Sequence, residues 1–173
     1  MKDDIRRRII EIREQSSTQS FNNQNEEIIE MIENDHEYQQ ANCVGIYYPL
    51  KNEVNLLPLT KGEKKYAFPK VEKDGIHFYL LENKTSFKKS KFGVLEPQEG
   101  AVADELIDYL LVPALAISKK GYRIGFGKGY YDRFLAQYRP KHVKGVIYDF
   151  QEIEDFLKDQ HDQKLDAYFK GSK

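Results

Sequence analysis

At 173 residues the chain has the length of one domain and can bury a sizeable core. Lys+Arg 27 against Asp+Glu 28 leaves a net charge of −1, which excludes a global attraction to nucleic acid or acidic membranes, so any basic site is local. One cysteine, Cys43, excludes a disulfide framework and points to a reducing compartment; beside Val44 in an apolar stretch it reads as a core thiol.

The opening residues, MKDDIRRR, lack the apolar stretch of a signal peptide. Ile5, Ile9 and Ile12 then give a helical stripe among charged residues. Residues 15–24 read as a polar Ser/Asn/Gln-rich link, and residues 26–38 as a second helix carrying Ile28, Ile29 and Ile32. Residues 42–48 are expected to form a strand ended by Pro49. Residues 65–68 and 76–81 read as short strands separated by a turn at 73–75. Residues 106–112, apolar with little alternation and stopped by Pro113, are the best candidate for a central strand. The longest apolar run, residues 109–117, is too short to span a bilayer, and the chain reads as soluble and cytoplasmic. A helix over 130–138 and a strand over 143–148 complete the pattern, with no internal repeat. Strands alternating with helices favour one α/β domain over 1–173, with a mostly parallel central sheet and helices on both faces. Ligands in such folds collect where strands end; Pro49, Pro69 and Pro113 would each close a strand and bring Glu53, Lys70 and the segment after residue 120 together.

That segment, GYRIGFGKGYYDRF at 121–134, holds four glycines within nine residues, with Lys128 between two of them. Glycines that tolerate φ > 0 allow backbone N–H groups to converge on an anion, and residues after Gly129 can open a helix whose N-terminus favours negative charge. A P-loop would need glycine where Tyr122 stands and Ser or Thr where Gly129 stands. A dinucleotide fingerprint would need glycine at Tyr130. Neither motif is present. The bland alternative is a glycine-rich turn without a ligand; Lys128, Arg123 and Asp132 around it favour an anion site.

These residues carry a resemblance. LVPALAI at 111–117 followed by GYRIGFGKGYYDR at 121–133 is similar to the signature of the 5-formyltetrahydrofolate cyclo-ligases. Further blocks resemble the same family in the same order: Lys2 with Arg6, IYYP at 46–49 with Glu53, FPK at 68–70, FGVLEP at 92–97, and His161-Asp162 with Asp166. The resemblance implies a three-layer α/β fold and an ATP-driven reaction. The formyl oxygen of 5-formyltetrahydrofolate takes the γ-phosphoryl group, N10 attacks the formyl carbon, and 5,10-methenyltetrahydrofolate, ADP and phosphate result. No protein nucleophile is required, and the chain shows no Ser-His-Asp or Cys-His pattern.

The resemblance also implies roles. Lys128 and Arg123 would contact the ATP phosphates during transfer, although Arg123 could equally pair with a nearby carboxylate. Gly125, Gly127 and Gly129 would supply backbone approach, with Ile124, Phe126, Tyr130 and Tyr131 beside them. Lys2 and Arg6, one helical turn apart, would reach the same phosphates, against the alternative of a solvated basic helix end. Asp132 and Asp162 would hold Mg²⁺, with Asp166 as an alternative to Asp162. For the folate, Glu53 would accept from pterin N–H groups, and Tyr48, Tyr130 and Phe92 are ring-packing candidates, with Phe92 the one that reads better as core. Phe126, Gly127 and Gly129 would share in that subsite. Lys70 would meet either glutamate carboxylates or phosphates. The partners expected are small molecules only, with no nucleic acid or membrane and a monomeric chain.

Departures and competitors stay open. Residues 54–67 are short for the helix the family carries there and are interrupted by Pro58 and Gly62; Ser118 stands where aspartate is common. Basic clusters at 88–91 and 139–144, with 12 tyrosines and 10 phenylalanines, raise RNA binding as an alternative, which the near-neutral charge disfavours. An enzyme of the same scaffold acting on another acyl or sugar phosphate is a second alternative, and a member that binds ligands without turnover a third.

Overall fold

The computed structural model describes residues 2–172. Helices α1 (Lys2–Gln15), α2 (Thr18–Glu33) and α3 (His36–Gln40) precede the first strand, β1 (Cys43–Gly45). A 3₁₀ turn (Leu57–Lys61) leads to β2 (Lys65–Glu72) and β3 (Gly75–Leu80), then to the small hairpin β4 (Phe87–Lys89) and β5 (Leu95–Pro97). After β6 (Tyr109–Pro113), β7 (Ala116–Ser118) and β8 (Arg123–Ile124) come α4 (Tyr130–Gln137) and β9 (His142–Ile147). A second 3₁₀ turn (Asp149–Gln151), β10 (Glu152–Ile153) and β11 (Ala167–Lys170) finish the chain.

The six-stranded sheet has the order β11-β9-β6-β1-β2-β3, parallel throughout except for the antiparallel edge strand β3. Alternation along each buried strand divides the core between two faces. Tyr109 and Leu111 of β6 pack with Phe21, Ile28 and Ile32 of α2, while Leu110 and Val112 pack with Phe134 and Leu135 of α4. Helices therefore cover both faces, as the alternating pattern predicts. A third cluster seats Ile9 of α1 on Leu115, Ala116 and Ile124. Among the described residues no helix is long and apolar enough to cross a membrane.

Several boundaries differ from expectation. The polar link at 15–24 is mostly helix: Ser17 caps α2 by accepting the Ser20 N–H at 3.1 Å, and Phe21 begins the buried stripe. That helix ends at Glu33 instead of 38, because Asp35 caps a separate turn, α3. The α1 stripe continues from Ile9 to a buried Arg13, leaving Ile12 exposed. The central strand begins at Tyr109; Leu106 lies in a preceding turn with its N–H on the Ala103 carbonyl. The segment read as shortened, 54–67, carries the 3₁₀ turn in place of a longer helix, with Pro58 in its first turn.

Pro69 does not close β2, which runs on to Glu72 against β3. Tyr66 O accepts the Leu81 N–H, and Ala67 O accepts the Ile46 N–H from the opposite side. Pro69, in phase with Ala67, turns its donor-less nitrogen to the side where β1 has already ended, so no ladder bond is lost. The strand reading failed because proline is compatible with this one position.

Candidate functional site

β7 and β8 pair antiparallel, Ala116 with Ile124 and Ile117 with Arg123, and deliver the chain from the sheet's C-terminal side into residues 125–129. Gly127 (φ 99°) and Gly129 (φ 71°) occupy the left-handed region, where a Cβ would be strained. Gly129 is also the N-cap of α4, and no side chain caps that helix. The first N–H groups of α4 and its dipole thus favour an anion in front of the loop.

A cavity of about 530 Å³ opens at this point, within the size range of small-molecule sites. All of residues 123–132 line it. Lys2 and Arg6 enter from α1, Tyr48 and Glu53 from the segment after β1, and Asp162 from the turn before β11. These fifteen residues, all singled out from the sequence, therefore line one cavity although they span positions 2 to 162. Lys70 does not: Pro69, Val71 and Ile76 face the cavity, and strand alternation puts Lys70 on the other side of the hairpin, opposite His77 in the register. Asp166 also lies elsewhere, accepting from Arg139 at 3.0 Å and from the Val143 N–H at 2.8 Å. Phe92, read as core, is 45% exposed and lines the cavity mouth.

The basic groups are anchored from behind. Arg6 Nε donates to Gly125 O at 2.7 Å, tying α1 to the glycine loop. Arg123 Nε donates to Pro113 O at 3.0 Å, and its guanidinium sits 5.1 Å from the Tyr131 ring centre. Burial pulls the Arg123 pKa below the usual arginine range, against the opposing charges of Asp132, Tyr131, Glu53 and Asp162. Lys2 Nζ donates to Asp162 at 2.9 Å and to Asp159 at 3.3 Å. Burial alone would lower the Lys2 pKa, but the Asp162 and Asp159 carboxylates outweigh it and raise the value. Lys128 is exposed, with its ammonium 5.8 Å from the centre of the Phe92 ring.

Two acids carry a burial penalty. Burial raises the Asp132 pKa above the ordinary aspartate range, only partly offset by the Gln163 N–H at 3.1 Å and the Arg123 charge. Burial likewise raises Glu53, opposed by the Leu50 N–H at 2.6 Å and by Arg13 and Arg123. Carboxyls shifted by burial and specific charge partners inside a cleft recur at functional sites. Tyr48 packs on Phe68 and Phe87, at 6.3 and 5.3 Å between ring centres, and with Val71 and Ile76 gives the cavity an apolar wall. The arrangement brings into one cavity cations suited to phosphates, an apolar wall that fits a flat ring, and the carboxylate of Glu53.

Sequence reasoning missed Asp159, Glu96 and Tyr47, all of which line the cavity. Asp159 stands three residues before Asp162 and shares Lys2, a spacing visible in the sequence. Glu96, buried and accepting the Val71 N–H at 2.8 Å, lies within the FGVLEP block but stands out only once β2 is seen beside β5. Tyr47 donates to Val54 O at 2.6 Å and looks like core from its apolar neighbours.

Comparison with known proteins places these features in context. Residues 1–169 match the sequence model of the 5-formyltetrahydrofolate cyclo-ligase family. The 5-formyltetrahydrofolate cyclo-ligase of Mycoplasma pneumoniae is 34% identical over 129 residues, covering 71% of this chain and 69% of that protein. The NMR structure of the Aquifex aeolicus 5,10-methenyltetrahydrofolate synthetase superposes with a TM-score of 0.87 at 33% identity, covering 98% of this chain and 89% of that one. The 5,10-methenyltetrahydrofolate synthetase structure from Mycoplasma pneumoniae gives 0.76 at 30% identity, covering 96% of both chains.

Proposed function

The chain belongs to the 5-formyltetrahydrofolate cyclo-ligase family, and from that premise we propose that it converts 5-formyltetrahydrofolate to 5,10-methenyltetrahydrofolate with ATP, in the cavity described above. The observation that carries this reading is the convergence on one cavity of the α4 N-terminus, the four cations Lys2, Arg6, Arg123 and Lys128, an apolar wall and the Glu53 carboxylate. The phosphates would lie against the loop at 125–129, met by backbone N–H groups and by Arg123 and Lys128. The pterin would pack beside Tyr48 and Tyr130, with its ring N–H groups on Glu53. Residues 1–173 would act as one unit, since the cavity draws on both Lys2 and Asp162 and loses a wall if either end is removed.

In the first step the formyl oxygen forms a bond to the γ-phosphorus as the bond to the bridging oxygen breaks, and ADP departs. N10 then bonds to the formyl carbon, phosphate leaves with the former formyl oxygen, and N10 gives up its proton. The protein's work is positioning and charge stabilisation. Arg123 and Lys128 would meet negative charge developing on the transferred group, and the apolar wall would keep competing water from the activated formyl carbon.

Asp132 and Asp162 fit a hard divalent cation by the chemistry of their oxygens. No three-ligand cage forms at the cavity among the described residues, which suits Mg²⁺, an ion that takes one or two carboxylates and completes its shell with phosphate oxygens and water. When bound it would neutralise charge across the phosphates, and Lys2 would have to share Asp162 with it.

The test is the absorbance of the methenyl product when the protein meets 5-formyltetrahydrofolate, ATP and Mg²⁺, with each omitted in turn. Product should form only with all three present. Lys128→Ala and Asp132→Ala should each lower kcat/KM by about 10²–10³-fold, the range for removing one transition-state contact. Folded protein that forms no product at high concentration would overturn the reading.

A further inference from the structure

On the face of the β2–β3 hairpin that points away from the cavity, Glu72, Asp74 and His77 bring three ligand atoms within 4.8 Å of one another. The imidazole between them is held in one orientation. Its Nδ1 lies 2.6 Å from Oδ2 of Asp104, a carboxylate only 4% exposed whose other oxygen accepts the Phe78 N–H at 2.6 Å. Its Nε2 lies 2.8 Å from Oδ1 of Asp74. A neutral imidazole has one N–H, and carboxylates only accept, so a neutral His77 can satisfy one neighbour and not both. The geometry therefore calls for positive charge at Nε2, carried by a second ring proton in the metal-free protein and replaceable there by a cation. Asp74 and Glu72 lie on that side of the ring, Asp104 holds the opposite nitrogen, and the nearest basic residues in the register are Lys70, opposite His77, and Lys73 in the turn.

We propose that this hairpin is a binding site for a divalent first-row transition ion of the Zn²⁺ type, ligated by His77 Nε2, Asp74 and Glu72. Asp104 would act as a positioning residue: a carboxylate on the second ring nitrogen fixes the tautomer and raises the basicity of the ligating one. Tyr79, whose hydroxyl donates to Glu72, would orient the second carboxylate in the same way. One imidazole nitrogen with two carboxylate oxygens suits Zn²⁺ better than Mg²⁺, which favours all-oxygen shells. A metal between these ligands requires the exposed Asp74 side chain to swing out of its 2.8 Å contact with Nε2. The site is independent of the cavity and of the ligase reaction.

Calorimetric titration of the metal-free full chain with Zn²⁺ tests it. The wild type should bind one ion, His77→Gln should weaken binding at least tenfold while remaining folded by circular dichroism, and Asp132→Asn in the cavity should leave it unchanged. Asp104→Asn should weaken it by about 10–100-fold. Should that buried substitution fail to fold, histidine side-chain NMR of the wild type provides the answer. Zn²⁺ should then shift the His77 Nε2 signal and leave His36, His142 and His161 in place. No Zn²⁺ binding by the wild type, equal binding by His77→Gln, loss of binding in Asp132→Asn, or movement of a different histidine would each overturn the proposal.

Discussion

Burial holds the carboxyl of Asp132 above the ordinary aspartate range, and the Gln163 N–H and Arg123 charge offset only part of that penalty. The sign follows from linkage: a folded state with the higher carboxyl pKa binds more protons, so this group's contribution to stability falls as pH rises from the unfolded value through the folded one. At neutral pH the charged form is fully penalised. Asp132→Asn keeps an oxygen for the Gln163 N–H and removes the buried charge. The variant should melt above the wild type at pH 7 while its ligase activity drops about 10²-fold or more. A lower melting temperature in scanning calorimetry would mean that the charge itself stabilises the fold. At this scale the sequence was informative wherever chemistry and glycine coincide: Lys128, Arg123 and Asp132 were all legible in the GFGKGYYDR run. Lys70 was not, because its side of the hairpin depends on a register that Pro69 disguises.

Elements with long periodic or continuous patterns were legible as well. α4, β6 and β9 lie within a few residues of their expected bounds, since each buries an apolar stripe or run against the sheet. The start of α2 was hidden because its solvent face is made of Ser, Asn and Gln, which read as a link until Ser17 is seen as a cap and Phe21 as the first buried residue. β7, β8, β10 and β11 are two to four residues long, and partners distant in the chain define them more than composition does. The β2–β3 hairpin makes an element-scale prediction. Its His77 has a pKa raised by Asp104 and then Asp74, against a smaller opposing effect of burial. For a base raised on folding, the stabilisation is fully present below the unfolded value and disappears as pH climbs through the folded one. With chelator present, urea midpoints should show the wild type more stable than His77→Gln by about 1 kcal/mol at pH 5.5, the usual net worth of an intramolecular hydrogen bond, with the gap shrinking by pH 9. A gap that is constant with pH would mean that the imidazole stabilises by packing alone.

Across the whole molecule, the sheet supplies stability and the loops at its C-terminal side supply the site, so substitutions in the two regions should separate in their readouts. Gly145 lies in β9, an interior strand next to the β11 edge, where an added Cβ would collide with Ile117 Cδ1 and come within 2.9 Å of Leu165 Cδ1. Both atoms are terminal methyls of enclosed side chains in the same core cluster, so relief requires those side chains to turn aside within a packed interior. Overpacking of this kind costs about 1–3 kcal/mol, and in a domain of this size it should lower the melting temperature of Gly145→Ala by about 2–10 °C. KM and kcat measured well below that temperature should stay near wild type, because no cavity wall is built from Gly145. Gly127 is the converse case. An added Cβ there would make only ordinary contact, 3.5 Å from the Arg6 guanidinium, but φ 99° is a conformation that alanine resists. Since the loop is exposed, Gly127→Ala can relax its backbone locally with little loss of melting temperature. That relaxation would re-aim the N–H groups facing the proposed phosphates, so KM for ATP should rise about tenfold or more, equivalent to one lost hydrogen bond to a charged group. If Gly145→Ala impaired turnover as much as stability, or Gly127→Ala impaired stability more than ATP affinity, the sheet and the loop would have to be treated as one coupled unit and not as scaffold and site.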